Sequence, residues 1–227
     1  MAEAGNENAA NWLLALAAEL AEMLGIYSTS ITPEDYLDFL MSVLKAVATD
    51  NSPQSIYPLL QNNLDKLDDK FAQILTAWMN KKLTEVEIKT AKLIAATIFN
   101  FSILIQEFTL GNIASNKEIA IAGYQAVATV FTQSDFPGKW AITQNNLGNA
   151  YSNRIRGNRA ENMEAAIAHY HNALLVYTQS GFPQDWAGVQ NNLGNAYSDR
   201  IQGDRAKNLE AAIAHYHQAL LVLTQSE

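Results

Sequence analysis

The chain has 227 residues, a formal net charge of −8, a hydrophobic content of 48% and no cysteine. The absence of cysteine excludes disulfides, thiolate metal ligands and a cysteine nucleophile, while the apolar content is sufficient for a substantial core. Most of the negative charge lies in residues 1–90, which hold six Lys/Arg and thirteen Asp/Glu, whereas residues 91–227 hold nine and ten. Because phosphate binding needs clustered basic residues, this distribution argues against nucleic acid as a partner.

The first residues, MAEAGNENAANW, are acidic and polar, whereas a secretory signal begins with basic residues and continues into an apolar run. The longest apolar runs elsewhere are short and are interrupted by Glu, Asp or Asn, so we expect no membrane span and no membrane partner. The sequence therefore predicts a cytoplasmic protein.

The N-terminal part of the chain reads as a series of helices. Apolar residues at helical spacing predict a helix over residues 8–24, which stops at Gly25. The sequence Thr32-Pro33-Glu34-Asp35 combines a cap, a first-turn proline and acidic residues near the helix N-terminus, and it predicts a helix to about Ala48.

A second start signal, Ser52-Pro53, is followed by apolar residues that step by three and four. This pattern predicts one long or slightly broken helix to about Lys82. Thr84 is predicted to cap the next helix, which runs to about Phe108. No segment shows the period-two alternation of a β-strand, so no sheet is predicted.

A block of 41 residues occurs twice, 46 residues apart, at Trp140–Ser180 and Trp186–Ser226, and the copies differ at nine positions. A third, degenerate copy precedes them, with Gly111 and Tyr124 at the positions of Gly157 and Tyr170. A fixed period of this length is typical of a solenoid. We therefore predict an N-terminal helical segment, 1–83, and an array, 84–227, whose units are 84–136 (degenerate), 137–182 and 183–227.

Each unit is predicted to contain two helices, the first starting near Pro137 or Pro183 and the second near Asn162 or Asn208. Gly148 is small where the two helices must approach closely. Gly157, the glycine of the intervening turn, is predicted to cap the first helix with positive φ.

The motif L-G-x-x-Y at Leu147, Gly148 and Tyr151, followed by A-x-x-x-Y at Ala166 and Tyr170, resembles a tetratricopeptide repeat. The 46-residue unit, with QNNLGNAYS and FPxxW, is similar to the repeats of bacterial, chiefly cyanobacterial, proteins that often end in a caspase-like CHAT peptidase domain. The resemblance implies an all-α fold, a right-handed superhelix of helical hairpins behind an N-terminal helical segment. It also implies a protein- or peptide-binding function.

A CHAT domain needs a His/Cys pair, and this chain has no cysteine. We also find no Gly-rich phosphate loop, no Ser/His/Asp arrangement and no nucleophile with a plausible base. We therefore predict no enzymatic activity and no cofactor, and we interpret the chain as the regulatory or targeting arm of a larger protein. Because the sequence stops at a repeat boundary, the alternative is a self-associating scaffold, a homo-oligomer formed through the C-terminal repeat.

The asparagines of the first helices are the candidate binding residues. They disfavour helix formation relative to the Glu, Lys and Arg of ordinary solvated faces, and an amide can both donate to and accept from a peptide backbone. The resemblance places them on the concave face of the array. The candidates are Asn145, Asn146, Asn149, Asn153, Asn191, Asn192, Asn195 and Asp199. The alternative is that these side chains brace neighbouring repeats, and recent duplication would also keep the copies identical.

The four histidines lie in two H-Y-H triplets, at His169, His171, His215 and His217. Spacing of i,i+2 points the rings apart on a helix, so no metal site is predicted, although pairing between repeats could bring His169 and His215 together. The repeated arginines around the turn are predicted to form salt bridges with Glu164 and Glu210.

Overall fold

The computed structural model describes residues 31–223, so the predicted helix over residues 8–24 and the last four residues lie outside the described part. The chain divides into two compact units, Met1–Asp35 and Tyr36–Glu227. Of the first unit only residues 31–35 are described. There the N–H of Asp35 donates to Thr32 Oγ1 at 3.2 Å and the N–H of Thr32 donates to the Asp35 carboxylate at 2.8 Å. This reciprocal cap explains the predicted helix start at Pro33.

All regular structure within residues 31–223 is helical, and no strand occurs in that range, so the predicted all-α class is confirmed for the described residues. The α-helices there are α1 (Pro33–Thr49), α2 (Pro53–Gln61), α3 (Asp69–Glu85), α4 (Ile88–Glu107), α5 (Ile113–Val130), α6 (Pro137–Ser152), α7 (Arg159–Leu174), α8 (Pro183–Asp199) and α9 (Arg205–Leu223). A 3₁₀ turn, Leu64–Lys66, separates α2 from α3.

The helices of the second unit pack in adjacent pairs. Helix α4 packs on α5, α6 on α7, and α8 on α9. Successive pairs touch through α5 and α6 and through α7 and α8, while α6 also contacts α8 directly. Helix α3 packs on α5.

Two predictions for the N-terminal part need correction. The segment from Ser52 to Lys82 is predicted as one long or slightly broken helix, but it forms two helices, α2 and α3, with a 3₁₀ turn between them. Asp68 begins α3 by accepting the N–H of Phe71 at 3.0 Å. The apolar spacing continues through this break and therefore hides it. Thr84 does not cap α4; it lies in the last turn of α3, where its hydroxyl donates to the carbonyl of Lys81 at 2.7 Å.

The first helices of the two repeats begin at Pro137 and Pro183 as predicted, but the second helices begin three residues earlier than predicted. Asn158 caps α7, since its Oδ1 accepts the N–H groups of Ala160 at 2.8 Å and Glu161 at 3.3 Å. The predicted start residue, Asn162, is buried and donates to the carbonyl of Arg156 at 2.7 Å. Asn162 therefore ties the loop between α6 and α7 to the first turn of α7.

The turn glycine Gly157 has the predicted positive φ, +78°. Helix α6 ends at Ser152, however, so this glycine lies within the connection and not at the helix cap. The left-handed conformation directs the chain into the N-cap of α7.

Helices α6 and α7 approach closely at Gly148, as the sequence predicts. A Cβ atom on Gly148 would lie 2.4 Å from Cε1 of Tyr170, and one on Gly194 would lie 2.5 Å from Cε1 of Tyr216. Each tyrosine ring thus lies directly on the backbone of the preceding helix. The same contact in both copies fixes the geometry of each hairpin.

Helix α4 is, among the described residues, the one helix whose length and apolar composition would allow a membrane span. Core helices meet the same criterion, and the side chains of Ile98, Phe101 and Ile105 on α4 are fully buried. Its composition is therefore only weak support for a membrane span.

Candidate functional site

A polar crevice lies between the C-terminal halves of α6 and α8. It encloses about 320 Å³. The buried side chains of Met163, Tyr170 and Ala196 contribute to its wall. The remaining lining residues are polar or charged: Asn149, Ser152, Asn153, Arg159, Asn192, Asn195 and Asp199. Five of the eight side chains predicted from the sequence therefore meet at one site.

Two asparagines in the crevice are anchored by the tyrosines of the second helices. The hydroxyl of Tyr170 donates to Asn149 Oδ1 at 2.8 Å, and the hydroxyl of Tyr216 donates to Asn195 Oδ1 at 2.8 Å. Burial raises the pKa of Tyr170 to about 12, so its hydroxyl keeps the proton that it donates. The Nδ2 group of each amide donates to no described residue and so stays available as a donor.

Two other crevice residues make contacts within the protein. Asn192 Nδ2 donates to Asn145 Oδ1 at 3.0 Å, which joins α8 to α6. Asn153 Nδ2 donates to the carbonyl of Asn149 at 2.9 Å and so satisfies the C-terminal end of α6. Asn192 and Asn145 thus join neighbouring repeats, in the way that the alternative interpretation of the sequence describes, whereas Asn153 bonds only within its own helix end.

Three predicted residues do not line the crevice. Asn145 is half-buried and is engaged by Asn192. Asn146 is half-buried and hydrogen-bonds with Tyr124, whose pKa is raised chiefly by burial and is lowered in part by this contact. Asn191 is exposed and has no hydrogen bond to another described residue. The i,i+4 stripe thus divides into residues that line the crevice, Asn145, which joins α6 to α8, and the exposed Asn191.

Arg159 also lines this site, although it is not among the residues predicted from the sequence to bind a ligand. It is exposed at the start of α7, and its guanidinium donates to the carbonyl of Ser152 at the end of α6. Asp199 lies across the crevice at the end of α8. The crevice therefore carries one charge of each sign beside its amides. The signal that could have identified Arg159 is its recurrence as Arg205, which donates to Ser198 in the same way.

The arginines of the turn pair differently from the prediction. Arg154 binds Glu118 through two hydrogen bonds of 2.8 and 2.7 Å, and Arg200 binds Glu164 through two of 2.7 Å. Each pair joins a second helix to the first helix of the following hairpin. Glu164 is therefore paired as predicted, whereas the predicted pair with Glu210 does not form.

Three of the four histidines make aromatic contacts, some within a hairpin and some between hairpins. His169 stacks on Tyr151 and His215 on Tyr197, with ring centroids 5.3 and 5.2 Å apart. His171, rather than the predicted His169, approaches His215, at 6.2 Å between ring centroids. Within residues 31–223 no group of three or more His, Asp or Glu side chains is arranged to hold a metal ion.

A second cavity, of about 660 Å³, was not predicted from the sequence at all. It lies between α3 and the end of α6, with Ile121 and Ala122 of α5 in its lining. Arg156 crosses it and binds Asp69 of α3 and, at 3.0 Å, Ser115 of α5. The cavity depends on how α3 packs, and the repeat pattern contains no information about that helix.

The comparisons with known proteins add no identification, because no family model, curated protein or solved structure matches the chain.

Proposed function

We propose that this chain is a tetratricopeptide-like module that binds a peptide segment of another protein in the crevice between α6 and α8. The observation that carries the proposal is the repeated Tyr–Asn contact, which leaves two amide NH₂ groups, on Asn149 and Asn195, as donors at one site. Support for a solenoid arrangement comes from helical hairpins of near-identical sequence that contact one another in chain order.

The ligand that suits this site is an extended segment that presents backbone carbonyls to the two amides. Arg159 supplies a donor for an acidic group of the ligand, and Asp199 supplies an acceptor for a basic group. Since few apolar side chains are exposed there, recognition depends on hydrogen bonds fixed in advance by the tyrosines. Holding the amides in place reduces the conformational entropy that binding would otherwise cost.

The amides can be tested separately as donors and as braces. Replacing Asn149 and Asn195 by Asp keeps an oxygen for each tyrosine hydroxyl but removes both NH₂ donors. Replacing Tyr170 and Tyr216 by Phe removes the brace and keeps the donors. The probe is a peptide selected from a random displayed library on the wild-type chain, and its affinity is measured by calorimetry.

We expect the Asp pair to weaken binding of the selected peptide by at least about ten-fold with little change in thermal stability. The Phe pair is expected to lose about 1–2 kcal/mol of stability and to change affinity less. Equal affinity of wild type and the Asp pair would show that the amides do not bind the peptide. The proposal would also be overturned if substitutions at the α3 cavity weakened binding of the selected peptide and substitutions at the crevice did not.

A further inference from the structure

Helix α9 presents an apolar face whose counterpart on α7 is covered. Ile167 and Met163 of α7 are 6% and 1% exposed, and they belong to one core cluster with Leu193 of α8. The residues 46 positions later on α9, Ile213 and Leu209, are 55% and 39% exposed. The face that α7 uses to bind α8 is therefore present on α9 without a covering helix among the described residues.

The same face carries an acceptor at a fixed position. Glu118 on α5 and Glu164 on α7 each bind an arginine at the end of the next first helix, through paired hydrogen bonds of 2.7–2.8 Å. Glu210 is the equivalent residue of α9. It has no hydrogen bond or ion pair with any described residue.

A third position on the face makes a contact on α5 and on α7 but is exposed on α9. Gln125 on α5 donates to the hydroxyl of Tyr151 at 3.0 Å, and His171 on α7 contacts the hydroxyl of Tyr197 at 3.4 Å. In both cases the tyrosine precedes the paired arginine by three residues. His217 occupies this position on α9 and is exposed.

The three positions together define the complementary helix. It carries leucine and alanine on its apolar face, a tyrosine after that alanine, and an arginine three residues later. In this chain the helical part of the pattern is Leu147, Ala150 and Tyr151 on α6, and Leu193, Ala196 and Tyr197 on α8. The arginine follows the helix: Arg154 lies two residues after the end of α6, and Arg200 is the residue directly after α8.

We propose that the exposed face of α9 binds an amphipathic helix of the pattern Leu-x-x-Ala-Tyr-x-x-Arg, with the arginine on Glu210. The face continues an interface that the chain already forms twice. Its apolar centre supplies most of the contact area, while Glu210 fixes register and direction, because only one orientation brings the arginine to the carboxylate.

The probe for this surface is a fluorescently labelled peptide covering residues 182–202, titrated with the full chain and followed by anisotropy. We expect saturable binding that is weakened by more than about ten-fold by Ile213→Asp, since a charge would be desolvated in the apolar centre. Glu210→Gln should weaken binding by about five-fold, which is a typical size for one partly buried charge pair. Glu161→Gln, at an exposed position on α7, is the matched control and should change nothing.

Charge reversal tests the pairing directly. A peptide with Arg200→Glu should bind the wild-type chain poorly and should regain affinity for the Glu210→Arg chain. Failure of this rescue, with both single changes harmful, would overturn the assigned register. Equal affinity for wild type and Ile213→Asp would overturn the site itself.

An isolated helix of this length is only marginally stable in water, so a second experiment joins the probe to the chain. A further copy of residues 181–226 is placed directly after Ser226, and a double-mutant cycle is measured between Glu210 and the arginine of the added copy that corresponds to Arg200. Positive coupling supports the proposal, and zero coupling contradicts it.

Sedimentation equilibrium of the unmodified chain tests whether the exposed face of α9 binds a second copy of the chain instead of the proposed helix. An average mass that rises with concentration and falls with Ile213→Asp, without peptide binding, would show that the face pairs with another copy of α9. That result would overturn the proposed helix pattern.

Discussion

The hairpins α6–α7 and α8–α9 are nearly identical in sequence and differ in burial. Tyr170 is 2% exposed, whereas Tyr216, in the same position on the same glycine, is half-buried. Ile167 is buried and Ile213 is exposed. Since the local sequence is shared, the difference arises because α8 covers α7, whereas no described helix covers α9 in the same way. In this molecule a repeat determines its own internal contacts, but its neighbour determines its burial.

The largest expected contrast is between Ile167→Ala and Ile213→Ala. The first change removes three carbons from a closed core and should destabilise the chain by about 3 kcal/mol. The second removes them from a surface and should change the unfolding free energy by less than about 0.5 kcal/mol. Urea unfolding followed by circular dichroism measures both. Equal losses would show that α9 is covered in solution, and the comparison between the hairpins would then fail.

A smaller contrast is expected between Gly148→Ala and Gly194→Ala. In each case the new methyl group would meet the tyrosine ring at 2.4–2.5 Å. Tyr170 is enclosed, so overpacking should cost about 2 kcal/mol even after the helix-favouring effect of alanine. Tyr216 is partly exposed and can move outward, so the cost at Gly194 should be about 1 kcal/mol or less. Thermal unfolding of the two variants provides the comparison, and a larger loss at Gly194 would contradict it.

The residue pattern was sufficient to predict the paired helices of the two repeats, and five of the candidate residues line the crevice. Periodic apolar residues, the Pro starts and the small Gly148 are local signals, and the structure contains the features that they predict. Contacts between distant segments were not predictable in this way. The pairing of Arg154 with Glu118 and the cavity beside α3 depend on which helix faces which, and that arrangement is set by the packing of the whole unit.

The break at Asp68 shows why local signals can also mislead. Apolar residues keep helical spacing across it, but α2 ends at Gln61, a 3₁₀ turn follows, and the side-chain cap of Asp68 starts α3. The division of the asparagines has a similar cause. Asn149 and Asn145 share a stripe on α6, yet one is held by a tyrosine of α7 and the other by an amide of α8.

The smallest expected effect concerns pH and the junction between α7 and α8. Burial lowers the pKa values of His169 and His171, and that of His215 is lowered by burial and then by the charge of His171. A histidine whose pKa is lower in the folded state binds fewer protons there than in the unfolded chain. Its stabilising contribution is therefore complete above the unfolded pKa of about 6.5 and is lost as the pH falls through the folded value.

The chain provides its own control for this effect, because Gln125 occupies the position of His171 at the preceding junction and binds Tyr151 without a titrating group. His171→Gln should therefore preserve the contact with Tyr197 near neutral pH and reduce the loss of thermal stability between about pH 7 and pH 5. Melting temperatures of wild type and variant across this range measure the effect. Parallel curves would show that His171 does not contribute to the pH dependence, and the two junctions would then be equivalent in this respect.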